Sequence, residues 1–390
     1  MKILMISHEY PPIGGGGANA CMYLSREYAK AHHDVTIVSA WFKGQPETED
    51  NNGVHIIRVK SKRRHKEHCS FSEMADYLCK AWPIVKSLEK ERHFDICQVF
   101  FGIPSGPIGY VLKKKYGVPY IIRFGGGDIP GFQERFAFLY KLIGPFLKRI
   151  WNHADALVAN SEGLKKLALD FYDKNPVDVI NNGVDIESFY PSMKNINSHD
   201  SDDESINLLF VSRLIERKGL QFIIPQLKDI EKKSHKKICL LIVGDGPYKE
   251  ELQRIAQMYD CMDMICFAGQ KDKTELLPFY QQADIFILPS KKEGMPNVVL
   301  EAMACGLPIV MTPCEGSKEL VSNNGMISSI DTFADKVTML CENAELRRDM
   351  GRNSLVIVEK TFQWKSVGGI YMELFDKIMK NDENWRKHKE

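Results

Sequence analysis

The chain has 390 residues, 44% of them hydrophobic and 26% charged, with 52 Lys and Arg against 51 Asp and Glu for a formal charge of +1. That composition excludes a disordered chain, a collagen-like chain and a disulfide scaffold. A single core rarely grows past about 250–300 residues, so two domains are expected, and the near-zero balance gives no electrostatic reason for a nucleic-acid partner.

Cys21, Cys69, Cys79, Cys97 and Cys239 have no neighbour at metal-ligand spacing, and Cys261 and Cys266 find no further Cys/His pair to complete a zinc set. They read as reduced thiols of a cytoplasmic protein. The apolar run after Lys2 stops before His8 and Glu9, short of the roughly 7–15 residues a signal peptide needs. No stretch approaches the roughly 18 apolar residues of a membrane span.

In chain order, short β-branched runs alternate with longer amphipathic segments. Strands are expected at 2–7, 34–40, 54–59, 95–100, 119–123 and 154–159, with helices at 18–31, 72–90 and 105–115. This alternation implies parallel βαβ units. From 191 to 205 the chain is rich in Asn, Ser and Asp and reads as a solvated linker. The alternation restarts with strands at 206–211, 238–243, 264–268, 284–288 and 307–311. The expected architecture is an α/β protein of two Rossmann-like, doubly wound domains of similar size, 1–190 and 206–363, facing a deep cleft. A last helix in 364–390 would cross back to the first domain. Open α/β sheets bind ligands beyond the carboxyl ends of their strands, so motifs there carry the function.

Four such motifs stand out. Gly14-Gly15-Gly16-Gly17 follows the first strand and opens a helix, whose N-terminus favours an anion such as phosphate. Gly15 to Ala20 formally fits the dinucleotide fingerprint. The loop before Gly15 is too long for that turn, however, and the second strand, ending in Ser39-Ala40-Trp41, lacks the ribose-binding acid. Arg213 and Lys218 flank an expected helix start after the first strand of the second domain. There they can neutralise a diphosphate, Arg213 as a fork and Lys218 as a point charge. Gly244-Asp245-Gly246-Pro247 ends an apolar strand, where its glycines can admit a flat ring against the backbone. The fourth motif runs from Glu293 through Gly294, Met295, Pro296, Asn297, Val298 and Glu301 to Gly306. Pro296 suits the first helical position, which leaves backbone N–H groups around Met295 to Val298 for a ligand. Glu293 lies in the loop and Glu301 near the positive end of the helix, where a carboxylate can take two vicinal hydroxyls.

Together these residues resemble the retaining glycosyltransferases of family 4, with the two-domain GT-B fold, over nearly the whole chain. The stretch 293–306 looks like that family's E-x7-E motif, and Ala154 to Glu162 also matches in order and spacing. The resemblance implies a nucleotide-sugar donor held mainly by the second domain. Glu301 would bind the ribose, Glu293 the transferred sugar, Arg213 and Lys218 the diphosphate, with Gly15, Gly16 and Gly17 contributing from the first domain. Gly294 to Val298 would complete the sugar pocket, and Glu315-Gly316-Ser317 stands where many members carry another Gly-rich turn. One departure is plain. Where many members carry a basic residue before Gly-x-Asp, this chain has Gly125, so Arg123 and Asp128 are the substitutes to weigh, Asp128 as a residue orienting the acceptor hydroxyl.

The expected function is retaining transfer of a hexosyl or N-acetylhexosaminyl group from a UDP-sugar, or a GDP-sugar, to a glycan or lipid-linked acceptor. A nucleotide-sugar epimerase on the same fold and a non-catalytic nucleotide-sugar-binding subunit are the alternatives. No D-x-D stands at a strand end to hold Mg²⁺, so no metal and no other cofactor is expected. The basic run 58–66 and the aromatic segment from Phe132 to Trp151 suit peripheral contact with an anionic membrane. Against that stands the plainer reading of a solvated loop and a core helix.

Overall fold

The structure of the protein, a computed structural model, describes residues 1–66, 68–133, 137–192 and 204–387. It forms two compact units, Met1–Asn182 with Trp364–Glu390, and Gly183–Gln363. The division after Asn182 precedes the expected boundary at 190, so Gly183–Tyr190 goes with the second unit. Of the expected linker, 193–203 lies outside the described residues, as do 134–136 of the aromatic segment.

The first unit holds strands β1 (Lys2–Ile6), β2 (Asp34–Ala40), β3 (Thr48–Asn51), β4 (Val54–Val59), β5 (Ile96–Phe100), β6 (Tyr120–Arg123), β7 (Ala156–Ala159) and β8 (Val177–Val179). Its sheet has the order β3-β4-β2-β1-β5-β6-β7-β8, parallel except where β3 pairs β4. Helices α1 (Gly16–Lys30), α2 (Phe71–Arg92), α3 (Gly106–Tyr116), α4 (Ala137–His153) and α5 (Glu162–Phe171) belong to it. The second unit holds β9 (Ser205–Val211), β10 (Lys237–Val243), β11 (Ile265–Gly269), β12 (Ile285–Leu288), β13 (Ile309–Met311) and β14 (Gly325–Ile327). These form a wholly parallel sheet of order β11-β10-β9-β12-β13-β14. Its helices are α6 (Leu227–Ser234), α7 (Lys249–Met258), α8 (Leu277–Gln282), α9 (Asn297–Ala304), α10 (Ser317–Leu320), α11 (Phe333–Glu342) and α12 (Ala344–Thr361), and α13 (Trp364–Lys387) ends the chain.

The two sheets differ in size, eight strands against six, rather than being alike. The extra strands are short ones that apolar patterning does not mark. β3 reads Thr-Glu-Asp-Asn at the sheet edge, and β8 is only Val-Asp-Val. Period-two alternation feeds two cores in the first unit: Leu4 and Ile6 face one, Ile3 and Met5 the other. Helices begin where their caps dictate. Ser70 and Glu73 form a reciprocal capping box at α2, and Ser161 caps α5.

Helix α13 packs on α1 in the first unit. Trp364 stacks on Tyr23 at 5.3 Å, and Phe375 meets Tyr28 edge-on at 5.4 Å. Gly368 permits the close approach, because a Cβ there would come within 2.9 Å of Glu27 Cβ.

Each strand order reverses direction once, between β1 and β5 and between β9 and β12. At such a switch point the loops leave in opposite directions and a crevice opens beyond the strand ends. The loops after β1, β5, β9 and β12 are therefore the places where side chains from distant sequence meet.

Candidate active site

At the β9/β12 switch point two of the expected residues come together. Lys218 Nζ lies 2.5 Å from Glu293 Oε1, and Ser290 Oγ donates to the same oxygen at 2.8 Å. The two loops are tied by backbone as well: Lys291 N–H donates to Arg217 O, and Arg217 Nη1 to Lys292 O. Gly219 makes that approach feasible. Its φ is +82°, and a Cβ would fall 1.9 Å from Pro289 O. Arg213 stands exposed on the same loop.

Lys218 does not flank an α-helix start as expected. It ends the 3₁₀ turn Glu216–Lys218, and two further 3₁₀ turns, Leu220–Phe222 and Ile224–Gln226, precede α6. Pro225 sits within the last of them, where its missing N–H cannot propagate an α-helix. Charge at this loop therefore comes from the side chains rather than from a helix dipole.

Pro296 is the N-cap of α9, so Asn297 and not Pro296 is its first helical residue. Its backbone is extended, φ −73° and ψ 116°, and no side chain caps the first turn. Met295 and Pro296 are buried, while Gly294, Asn297 and Val298 are half-buried. The turn at Glu315-Gly316-Ser317 packs onto this loop. Glu315 N–H donates to Glu293 O, and a Cβ on Gly316 would lie 2.2 Å from Gly294 O.

Glu301, one turn into α9, is 5% exposed. Tyr280 Oη donates to its Oε2 at 2.9 Å, and Lys273 Nζ lies 3.6 Å from Oε1. Burial pushes the Glu301 carboxyl above its ordinary pKa, with Lys273 and the Tyr280 hydroxyl pulling the other way. Lys273 also sits 5.5 Å from the Phe189 ring, which packs edge-on against Tyr280. Neither Tyr280 nor Lys273 is marked in the sequence, because each lies on a different loop or helix from the motif it serves.

Gly244 and Gly246 have a packing use of their own. Cβ atoms on them would fall 1.9 Å from Ser212 O and 2.3 Å from Leu214 O. They let this loop lie against the Ser212–Leu214 loop, joined by Leu214 N–H to Asp245 O and Tyr248 N–H to Leu214 O. Asp245 is exposed, and its Oδ1 accepts the Gly246 N–H.

In the first unit, Gly15 is the N-cap of α1 and Gly16 its first residue. Gly15 has open space where a Cβ would point, whereas a Cβ on Gly17 would meet the Phe101 ring at 2.4 Å. A Cβ on Gly125 would meet the same ring at 2.3 Å. Phe101 thus fills the space a side chain at 125 would take. It meets His8 edge-on at 4.9 Å, across the β1/β5 switch point. His8 is buried, with Nδ1 lacking a hydrogen-bond partner among the described residues, and burial brings its pKa down to about 4. It adjoins a Glu9–Arg63 pair at 3.3 Å. The signal for this cluster was a titratable pair directly after a strand.

Asp128 is buried and accepts N–H groups from Gly102 (2.7 Å, Oδ2) and Gly125 (2.8 Å, Oδ1). It clamps the loops after β5 and β6 together. Arg123 is buried in the core beneath α13. Its Nη2 donates to Asn182, and its guanidinium lies 5.4 Å from the Phe100 ring. Held there, Arg123 does not stand in for the basic residue that Gly125 displaces.

The profile of Glycosyltransferase Family 4 matches residues 14–188, and that of Glycosyl transferases group 1 matches residues 192–355. An uncharacterized glycosyltransferase of Methanocaldococcus jannaschii is 26% identical over 96% of this chain and 99% of its own. A GDP-mannose-dependent alpha-(1-6)-phosphatidylinositol monomannoside mannosyltransferase of Mycolicibacterium smegmatis is 25% identical over 95% of this chain and 97% of its own. Among solved structures, sucrose-phosphate synthase from Thermosynechococcus elongatus superposes with a TM-score of 0.81 at 20% identity, covering 98% of this chain and all of that one. Its two Rossmann-like units have the GT-B fold, and the chain belongs to the group 1, family 4 glycosyltransferases.

Proposed function

We propose that the protein transfers a hexosyl or N-acetylhexosaminyl group from a UDP-sugar, or a GDP-sugar, to a hydroxyl of a glycan or lipid-linked acceptor, with retention at the anomeric carbon. The observation that carries this reading is the meeting of Lys218 and Glu293 at the β9/β12 switch point, with Arg213 on the same loop. A relative of similar length acts on GDP-mannose and a phosphatidylinositol mannoside, which supports both the donor class and a lipid-linked acceptor.

In this reading Glu301 takes the ribose hydroxyls, aligned by Tyr280, while Arg213 and Lys218 hold the diphosphate. Glu293 then exchanges Lys218 for hydroxyls of the transferred sugar. The bond from the anomeric carbon to the phosphate oxygen breaks, and the acceptor oxygen bonds that carbon on the same face. The acceptor proton goes to the departing phosphate oxygen. The protein's part is to stabilise charge developing on the diphosphate. No metal or other cofactor is invoked. Asp128, with both oxygens bonded to backbone N–H groups, acts by shaping the loops beside the acceptor.

Thermal-shift measurements with UDP, GDP, ADP and their sugars, followed by turnover with the best donor, test the reading. Stabilisation by one nucleotide and its sugar, and its loss in Glu301→Ala, is expected. Unchanged nucleotide binding in Glu301→Ala would overturn the pocket.

A further inference from the structure

Helix α4 turns Tyr140, Gly144, Leu147, Ile150 and Trp151 inward. On the opposite side it leaves Phe138 83%, Leu142 72% and Phe146 50% exposed. Spacing of four aligns these three along one face over two turns. A single exposed apolar side chain is ordinary, but three in register form a patch.

The two helices at this face carry charge of one sign. Neither α4 nor α3 contains Asp or Glu. Lys141 and Lys148, seven residues apart, run along one flank of the stripe, and Arg149 follows Phe146 at its end. Arg149 Nε donates to Tyr110 Oη of α3 at 2.9 Å, and α3 adds the exposed Lys114 and Lys115. The run 58–66 offers less than its composition promises. Arg58 is buried against Glu49 and Arg63 against Glu9, while Lys60 pairs Glu47.

We propose that the α4 face docks the protein on an anionic lipid bilayer. The helix lies along the surface, with Phe138, Leu142 and Phe146 at the headgroup–acyl boundary and the cations among lipid phosphates. Charge selects this occupant over a second copy, since two such faces meeting symmetrically would oppose Lys141, Lys148 and Arg149 to their equivalents. Among the described residues no helix is long and apolar enough to cross a membrane, so the contact is with one leaflet. The inference deepens the proposed function by placing a lipid-linked acceptor within reach, yet docking is measured without turnover. Its failure would leave the donor site standing, and failure of the donor site would leave the docking face standing.

The test is co-sedimentation of the full chain with vesicles of phosphatidylcholine alone or mixed with phosphatidylglycerol, at low and high salt. Binding to the mixed vesicles only, reversed by salt, is expected. Phe138→Ser combined with Leu142→Ser and Phe146→Ser should weaken it by about tenfold or more, and Lys141→Glu with Lys148→Glu should abolish it. Unchanged thermal unfolding of both variants shows that the fold is intact. No binding by the wild type at low salt, or equal binding by the serine variant, overturns the proposal. So does a wild-type dimer that the serine substitutions dissociate while vesicle binding stays as it was, or capture of an acidic protein with no affinity for the vesicles.

Discussion

Lys218 and Glu293, 75 residues apart in sequence, share a 2.5 Å contact in which each side chain is only 12% exposed. The cation that would meet a diphosphate is thus already held by the carboxylate that would meet a sugar. A ligand carrying both groups can separate the pair and satisfy each half.

Substitution should therefore divide the two roles. Lys218→Ala should lower UDP or GDP affinity and reduce kcat/KM by about 10²–10³-fold, the range seen when one charge-stabilising group is removed. Glu293→Gln should keep or strengthen diphosphate binding, because Lys218 is released, while turnover is lost. Calorimetric titration with the free nucleotide and steady-state kinetics check both. Equal loss of nucleotide affinity in the two variants would make the pair a purely structural tie.

Glu301 gives a prediction in pH. Its folded-state pKa is raised, chiefly by burial, so the native state holds its proton more tightly than the unfolded chain does. The favourable contribution of the neutral acid is full below the ordinary 4.5 and is lost as pH rises through the raised value. Glu301→Gln should then unfold at a higher temperature than wild type at pH 8, with the gap narrowing toward pH 4.5, while nucleotide binding weakens. Thermal denaturation across that range decides it. A Gln variant less stable at every pH would show that the bonds from Tyr280 and Lys273 outweigh burial.

Much of this arrangement was legible in the sequence, and the part that was not has physical causes. Apolar runs such as 238–243 announce strands, and repeated βα units announce parallel sheets. The Glu293-to-Glu301 spacing announced a loop position for the first acid and a helical one for the second, and the structure has them so. What one-dimensional pattern could not supply was the partner of each. Lys218 reaches Glu293 between the loops after β9 and β12, and Tyr280 of α8 reaches Glu301 of α9 from the other side of β12 in sequence. Nor does a glycine announce what crowds it: a Cβ on Gly244 or Gly246 would meet Ser212 O or Leu214 O.

Gly316 turns such crowding into an experiment. Its φ of −108° suits any residue, so the cost of a side chain there is steric. A Cβ would lie 2.2 Å from Gly294 O and push the Glu293 loop. Gly316→Ala should destabilise by about 1–3 kcal/mol, as overpacking does. It should also raise KM for the nucleotide-sugar more than it lowers affinity for the free nucleotide. Chemical denaturation and paired titrations measure the two effects, and a variant with wild-type stability and KM would show the loop to be pliant.

His8 makes the opposite pH argument from Glu301, in the first unit. Burial lowers its pKa from 6.5 to about 4, with Glu9 raising and Arg63 lowering it further in smaller measure. The unfolded chain takes up the proton at the ordinary value while the native state refuses it. Stability is therefore full above 6.5 and falls as pH drops toward 4, by up to about 3 kcal/mol for this group. His8→Gln keeps a polar side chain beside Phe101 without a group to protonate. It should flatten the decline in unfolding free energy between pH 6.5 and 4.5, measured by urea titration at each pH. An unchanged decline in that window would overturn the role of His8, and it would not pass to Glu73, whose pKa lies near 2 through bonds from Ser70 and Arg64. A group so placed loses its contribution only as pH falls from the ordinary carboxylate range toward 2, so the two causes separate on the pH axis.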